Sequence, residues 1–83
     1  MKYEKIYVSV GLNVDTEGEI RPVAIRWRDG KIYEIDRIRQ KTCAASLKVG
    51  GRGIRYTVLI EGKERYLFNE EGRWFVEGKA VSN

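Results

Sequence analysis

The 83-residue chain holds no histidine and a single cysteine, Cys43. Ordinary zinc sites and histidine-based catalytic triads need more than that. One cysteine cannot form an intrachain disulfide, which fits a reducing compartment. Cys43 sits beside Ala44 and Ala45 and reads as a small packing residue. A reactive thiol needs an electropositive setting, and only Lys41 and Lys48 are near in sequence to supply one. The acidic pairs Glu70-Glu71 and Glu61 with Glu64 fall in expected turns, where a carboxylate is too exposed for its pKa to move far. Glu34 and Asp36 fall on a strand and read as ion-pair partners for Arg21, Arg26 or Arg37. The expectation is a non-catalytic binding domain with no metal and no cofactor.

Charge is the stronger chemical signal. Arg37, Arg39, Lys41, Lys48, Arg52 and Arg55 lie between Arg37 and Ile60 with no acidic residue among them. That segment carries six positive charges, while the rest of the chain, with ten basic and twelve acidic residues, is slightly negative. Arginine forks suit phosphate oxygens, and Gly50, Gly51 and Gly53 permit close backbone approach and an anion nest. The candidate nucleic-acid or anion site is therefore Arg37, Arg39, Lys41, Lys48, Gly50, Gly51, Arg52 and Arg55. The plain alternative is a solvated loop whose cations keep the protein soluble. Gly50-Gly51-Arg52-Gly53 is neither a Walker sequence nor a dinucleotide fingerprint, which argues against nucleotide hydrolysis. Tyr7 and Tyr33, whose neighbours alternate with charge, are the candidates for base stacking. Trp27, Tyr56, Tyr66 and Trp74 read as core.

The elements that must position these residues are strands. Ile6, Val8, Val10, Leu12 and Val14 alternate with Tyr7, Ser9, Gly11 and Asn13, the period of a strand with one buried face. Asp15 to Glu19 is a polar turn, and a second strand follows through Val23, Ile25 and Trp27, with the only proline, Pro22, near its start. A three-residue loop at Arg28-Asp29-Gly30 pairs Ile25 with Tyr33 and avoids setting Ile25 against Glu34. The same rule at Glu61-Gly62-Lys63 and Glu70-Glu71-Gly72 pairs Val58 with Tyr66 and Phe68 with Trp74. It gathers Tyr56, Val58, Tyr66, Phe68, Trp74 and Val76 on one face and leaves Leu59, Leu67 and Phe75 on the other. Residues 41–53 break the alternation and read as one long loop, or a helical turn over Lys41 to Val49 stopped by Gly50 and Gly51. This loop is expected to be the most mobile internal segment.

The reading is a single small all-β domain, residues 1–83: a five- or six-stranded antiparallel meander, small barrel or strongly curved sheet. Hydrophobic residues make up 42% and charged residues 34%, a globular balance. A domain this small is marginal by itself, which leaves room for a partner copy. No apolar run reaches membrane-spanning length, and the start of the chain lacks a signal-peptide pattern. A cytoplasmic protein without membrane contact is expected.

Two blocks carry a resemblance. One is Arg21-Pro22-Val23-Ala24-Ile25-Arg26-Trp27-Arg28-Asp29-Gly30-Lys31-Ile32-Tyr33-Glu34-Ile35-Asp36. The other runs from Gly50-Gly51-Arg52-Gly53-Ile54-Arg55-Tyr56-Thr57-Val58 through Tyr66-Leu67-Phe68 to Trp74-Phe75-Val76-Glu77. Together they resemble a group of short bacterial proteins of unknown function, over most of residues 20 to 77. The resemblance implies a free-standing bacterial domain and brings no activity with it. Two functions stay open: binding of nucleic acid or another polyanion through the basic 37–55 segment, and protein interaction or self-association through a sheet edge or the outer Leu59, Leu67 and Phe75 face.

Overall fold

A computed structural model describes residues 3–45 and 52–79. Among them the chain is all β, with eight strands in two antiparallel sheets. The strands are β1 (Tyr3–Tyr7), β2 (Ser9–Val14), β3 (Ile20–Arg26), β4 (Ile32–Glu34), β5 (Arg37–Ala45), β6 (Arg52–Ile60), β7 (Lys63–Glu70) and β8 (Arg73–Lys79). The larger sheet has the order β1-β8-β7-β6-β5 and the smaller β2-β3-β4.

The extended runs of chain number six, but two of them bend and change sheet. Val8 donates its N–H to the Trp74 carbonyl at 3.0 Å, prolonging the β1–β8 ladder, and Ser9 then pairs with Arg26 in the smaller sheet. Ile35 donates to Val23 at 2.9 Å, and the next residue, Asp36, donates to Leu59 at 2.8 Å in the larger sheet. Strands shared in this way let two twisted sheets close over one core without a loop at the corner. The sheets remain two and do not merge into a closed barrel.

Residues 41–53 differ from the expected loop or helical turn. Lys41 to Ala45 complete β5, paired from Lys41↔Tyr56 to Ala45↔Arg52. A partner strand there satisfies the backbone. That gain outweighs the weak helix preference of Ala and Lys. Residues 46–51, and with them the expected mobility, lie outside the described residues.

The turns divide into two kinds. At Arg28-Asp29-Gly30 the three-residue loop is present: Gly30 has φ 90°, its N–H reaches the Trp27 carbonyl at 2.8 Å, and Ile25 opposes Tyr33. At the other two hairpins the loops are one residue shorter than expected. Ile60 opposes Lys63 across Glu61-Gly62, and Glu70 opposes Arg73 across Glu71-Gly72. All four loop residues have positive φ, from 50° to 82°. This is the primed turn whose twist matches its flanking strands. A slip of one residue exchanges faces, so β7 turns over as a unit: Leu67 points inward, and Tyr66 and Phe68 point outward.

The core lies between the sheets. Tyr56, Val58, Leu67 and Trp74 from the larger sheet meet Ile25 from the smaller, with Val10, Ile35 and Val76 packed around them. Val58 and Leu67 are fully buried, each worth about 1.5–3 kcal/mol relative to an exposed side chain. Tyr56 and Trp74 have ring centroids 5.3 Å apart.

Candidate nucleic-acid interface

The outer face of the larger sheet carries a row of side chains set by register alone. Tyr7 on β1 opposes Phe75 on β8, Phe75 opposes Phe68 on β7, Phe68 opposes Arg55 on β6, and Arg55 opposes Thr42 on β5. Phe68 and Phe75 stack at 5.0 Å with ring planes 7° apart, and Tyr7 meets Phe75 edge-on at 5.8 Å. The two phenylalanines are buried, whereas Tyr7 and Tyr66, the residue two before Phe68, are 43% and 49% exposed.

Each exposed tyrosine has an arginine over its ring. The Arg73 guanidinium carbon is 3.7 Å from the Tyr7 centroid and that of Arg55 is 4.7 Å from Tyr66. Cation–π attraction holds both guanidinium groups over the rings. Arg55 Nε is buried and has no hydrogen-bond partner among the described residues. Lys5 lies 4.9 Å from the Phe75 centroid and 2.7 Å from Glu70 Oε1. Its hydrogen bond to Glu70 raises its pKa above 10.5, against the opposing effect of desolvation.

The structure divides the basic residues expected to act together. Arg55 is on the outer face, and Arg37, opposite Leu59, shares that side of the ladder. Arg39 is the extra residue of a bulge in β5, and its Nε lies 3.2 Å from Glu64. Lys41 opposes Tyr56 and so projects from the inner face, 5.7 Å from that ring and 3.1 Å from Glu19. The hydrogen bond to Glu19 raises its pKa. Arg37 and Lys41 both border a cleft of about 570 Å³, with Arg21, Glu19 and Asp36. Arg52 is placed by its backbone alone, and Lys48, Gly50 and Gly51 lie outside the described residues. Asp36, expected as an arginine partner, accepts the Glu61 N–H on its carboxylate at 3.2 Å.

Gly53, expected to serve close approach to an anion, has a steric reason instead. A Cβ there would stand 2.1 Å from the Asn69 carbonyl oxygen. Tyr33, the other stacking candidate, is half-buried and opposes Ile25. It shares a cleft of about 660 Å³ with Trp27 and Ile25, and Lys31 stands 5.0 Å from its ring.

No known family, curated protein or solved structure matches this chain. The site therefore rests on its own geometry. Tyr66, Arg73 and Lys5 were not legible as site residues. The Glu61-Gly62 and Glu71-Gly72 dipeptides, taken as primed turns, are the signal that puts Tyr66 outside. Among the described residues no group of three potential ligands could hold a metal, and no helix is long and apolar enough to cross a membrane.

Proposed function

We propose that this protein binds single-stranded nucleic acid, or a polyanion of similar spacing, on the outer face of its larger sheet. The observation that carries the reading is the pair of exposed tyrosines, Tyr7 and Tyr66, each capped by an arginine. A base stacks on the arginine–tyrosine pair, and the N–H groups of the guanidinium donate to phosphate oxygens. Arg37 extends the basic rim at β5. Arg39 and Lys41 contribute less, because Glu64 and Glu19 neutralise them. A duplex keeps its bases stacked within the helix, so the face favours unpaired strands. The free Cys43 fits a reducing, cytoplasmic setting.

Fluorescence anisotropy with labelled single-stranded and duplex DNA and RNA, at low and at physiological salt, tests this. Single strands should bind more tightly than duplexes, and affinity should fall with salt by roughly 0.7 logarithmic units per decade for each phosphate neutralised. No binding at low salt, or binding indifferent to Tyr7→Ala with Tyr66→Ala, removes the proposal.

A further inference from the structure

We infer that the chain forms a twofold dimer by antiparallel pairing of β2 with β2 of a second copy. The argument begins with the backbone. Asp15 donates its N–H to Glu19 across the β2–β3 hairpin at 3.1 Å. Alternate residues of an antiparallel strand face the same neighbour, so Asn13 and Gly11 also address β3. Val10, Leu12 and Val14 then turn their N–H and C=O groups to the opposite side. Val8 has the same orientation and bonds to Trp74. Beyond it β8 has ended, because Arg73 is its first residue. Among the described residues, the side of the chain that β8 occupies along β1 is thus open along β2.

Open edges invite pairing, and folded proteins blunt them. The edge strand β5 has a bulge at Arg39 and three cations, β1 holds Glu4 and Lys5, and β4 is only three residues long. β2, Ser9-Val10-Gly11-Leu12-Asn13-Val14, has no charge and no proline. The extra residue of its ladder is Val23 on β3, so β2 itself is regular. Leu12 and Val14 are 44% and 58% exposed, as is their neighbour Ile20 at 41%, although all three lie on the core side of the sheet.

The sequence of β2 selects a second copy as its occupant. Its polarity is symmetric about Leu12: valine at 10 and 14, small or polar residues at 11 and 13. Antiparallel pairing centred on Leu12 sets Val10 against Val14 and Leu12 against itself, and it pairs the outward backbone groups of all three. The apolar side chains then form one continuous strip across the twofold axis, the arrangement of an isologous interface. An uncharged strand offers nothing by which to prefer a charged partner.

Sedimentation equilibrium from low micromolar to near-millimolar concentration tests this, with amide hydrogen exchange at both ends of the range. A concentration-dependent dimer is expected, with protection of the Val10, Leu12 and Val14 amides rising with it. Leu12→Lys, which sets two lysines against each other, should weaken the dimer by about tenfold or more. Val14→Lys should act in the same direction, should the first variant fold poorly. Ile32→Lys, equally exposed but on β4, should leave the dimer intact. A monomer at the highest concentration, or a dimer insensitive to both β2 substitutions, overturns the inference. Neither result bears on nucleic-acid binding, which uses the other sheet.

Discussion

Arg55 stands over Tyr66, its guanidinium carbon 4.7 Å from the ring centroid, while its Nε is buried without a hydrogen-bond partner among the described residues. The residue is thus held by the ring contact, and its buried Nε adds a desolvation cost rather than a ligand contact. Removing either partner separates the two contributions. Tyr66→Ala should weaken single-strand binding by about 1–3 kcal/mol, the range for loss of one stacking platform. Arg55→Ala should instead flatten the salt dependence, lowering its slope by about 0.7 because one phosphate fewer is neutralised. Titrations of both variants at several salt concentrations distinguish these outcomes.

Gly53 admits no side chain. Gly53→Ala would drive a methyl group into the Asn69 carbonyl, and overpacking of this kind costs about 1–3 kcal/mol. Denaturant unfolding should give a lower midpoint with an unchanged slope. An unaltered midpoint would mean that β6 and β7 separate freely at this end.

The face on which each β7 residue lies is testable by truncation. Leu67→Ala should cost about 2–5 kcal/mol, as for other fully buried leucines. Tyr66→Ala should cost far less stability despite removing more atoms, because it points outward. Had the loops been three residues long, the ranking would reverse, so unfolding of the two variants side by side tests the register.

Glu61 and Glu71 hold φ of 50° and 52°, a conformation asparagine tolerates better than glutamate. Replacing both with Asn should raise stability by up to about 1 kcal/mol per site, since left-handed backbone at a non-glycine residue costs energy of that order. Thermal unfolding measures the shift. A loss of stability would show that the carboxylates make compensating contacts.

Alkaline pH should loosen the fold. Lys5 and Lys41 have pKa values raised above 10.5 by hydrogen bonds to Glu70 and Glu19. A lysine whose pKa is higher folded than unfolded adds stability that is complete below the unfolded value and disappears as pH rises through the folded one. Stability should therefore be insensitive to these pairs near neutrality and fall above about pH 10.5. Combining Lys5→Met with Lys41→Met should flatten the alkaline limb of a pH series of unfolding curves.

Strand period and turn residues made the secondary structure legible. The alternation from Ile6 to Val14, the position of Pro22, and Asp29-Gly30 with its bulged turn specify strands, a hairpin and the Ile25–Tyr33 pairing through local sterics alone. Strand change was not legible. Nothing in the Ile6 to Val14 pattern marks Val8 as a corner, because both sheets bury the same face of the same run. Residues 41–45 misled for the opposite reason: their helical preference is local, and the strand partner that overrides it lies at residues 52–56.

The site depended on register, and register on two turns. An acidic residue before glycine is compatible with a loop of two residues or three. The choice turns on whether glutamate accepts positive φ, and the twist of the paired strands makes that conformation favourable. One residue of difference put Leu67 in the core and Tyr66 beside Arg55. An all-β chain, a basic middle segment and the absence of histidine chemistry could be read from residue order alone, since these follow from composition and nearest neighbours. Which cations meet carboxylates, which aromatics stay exposed and which edge remains open were settled when distant strands paired. Those properties belong to contacts across the sheets, and local sequence does not encode the alignment that makes them.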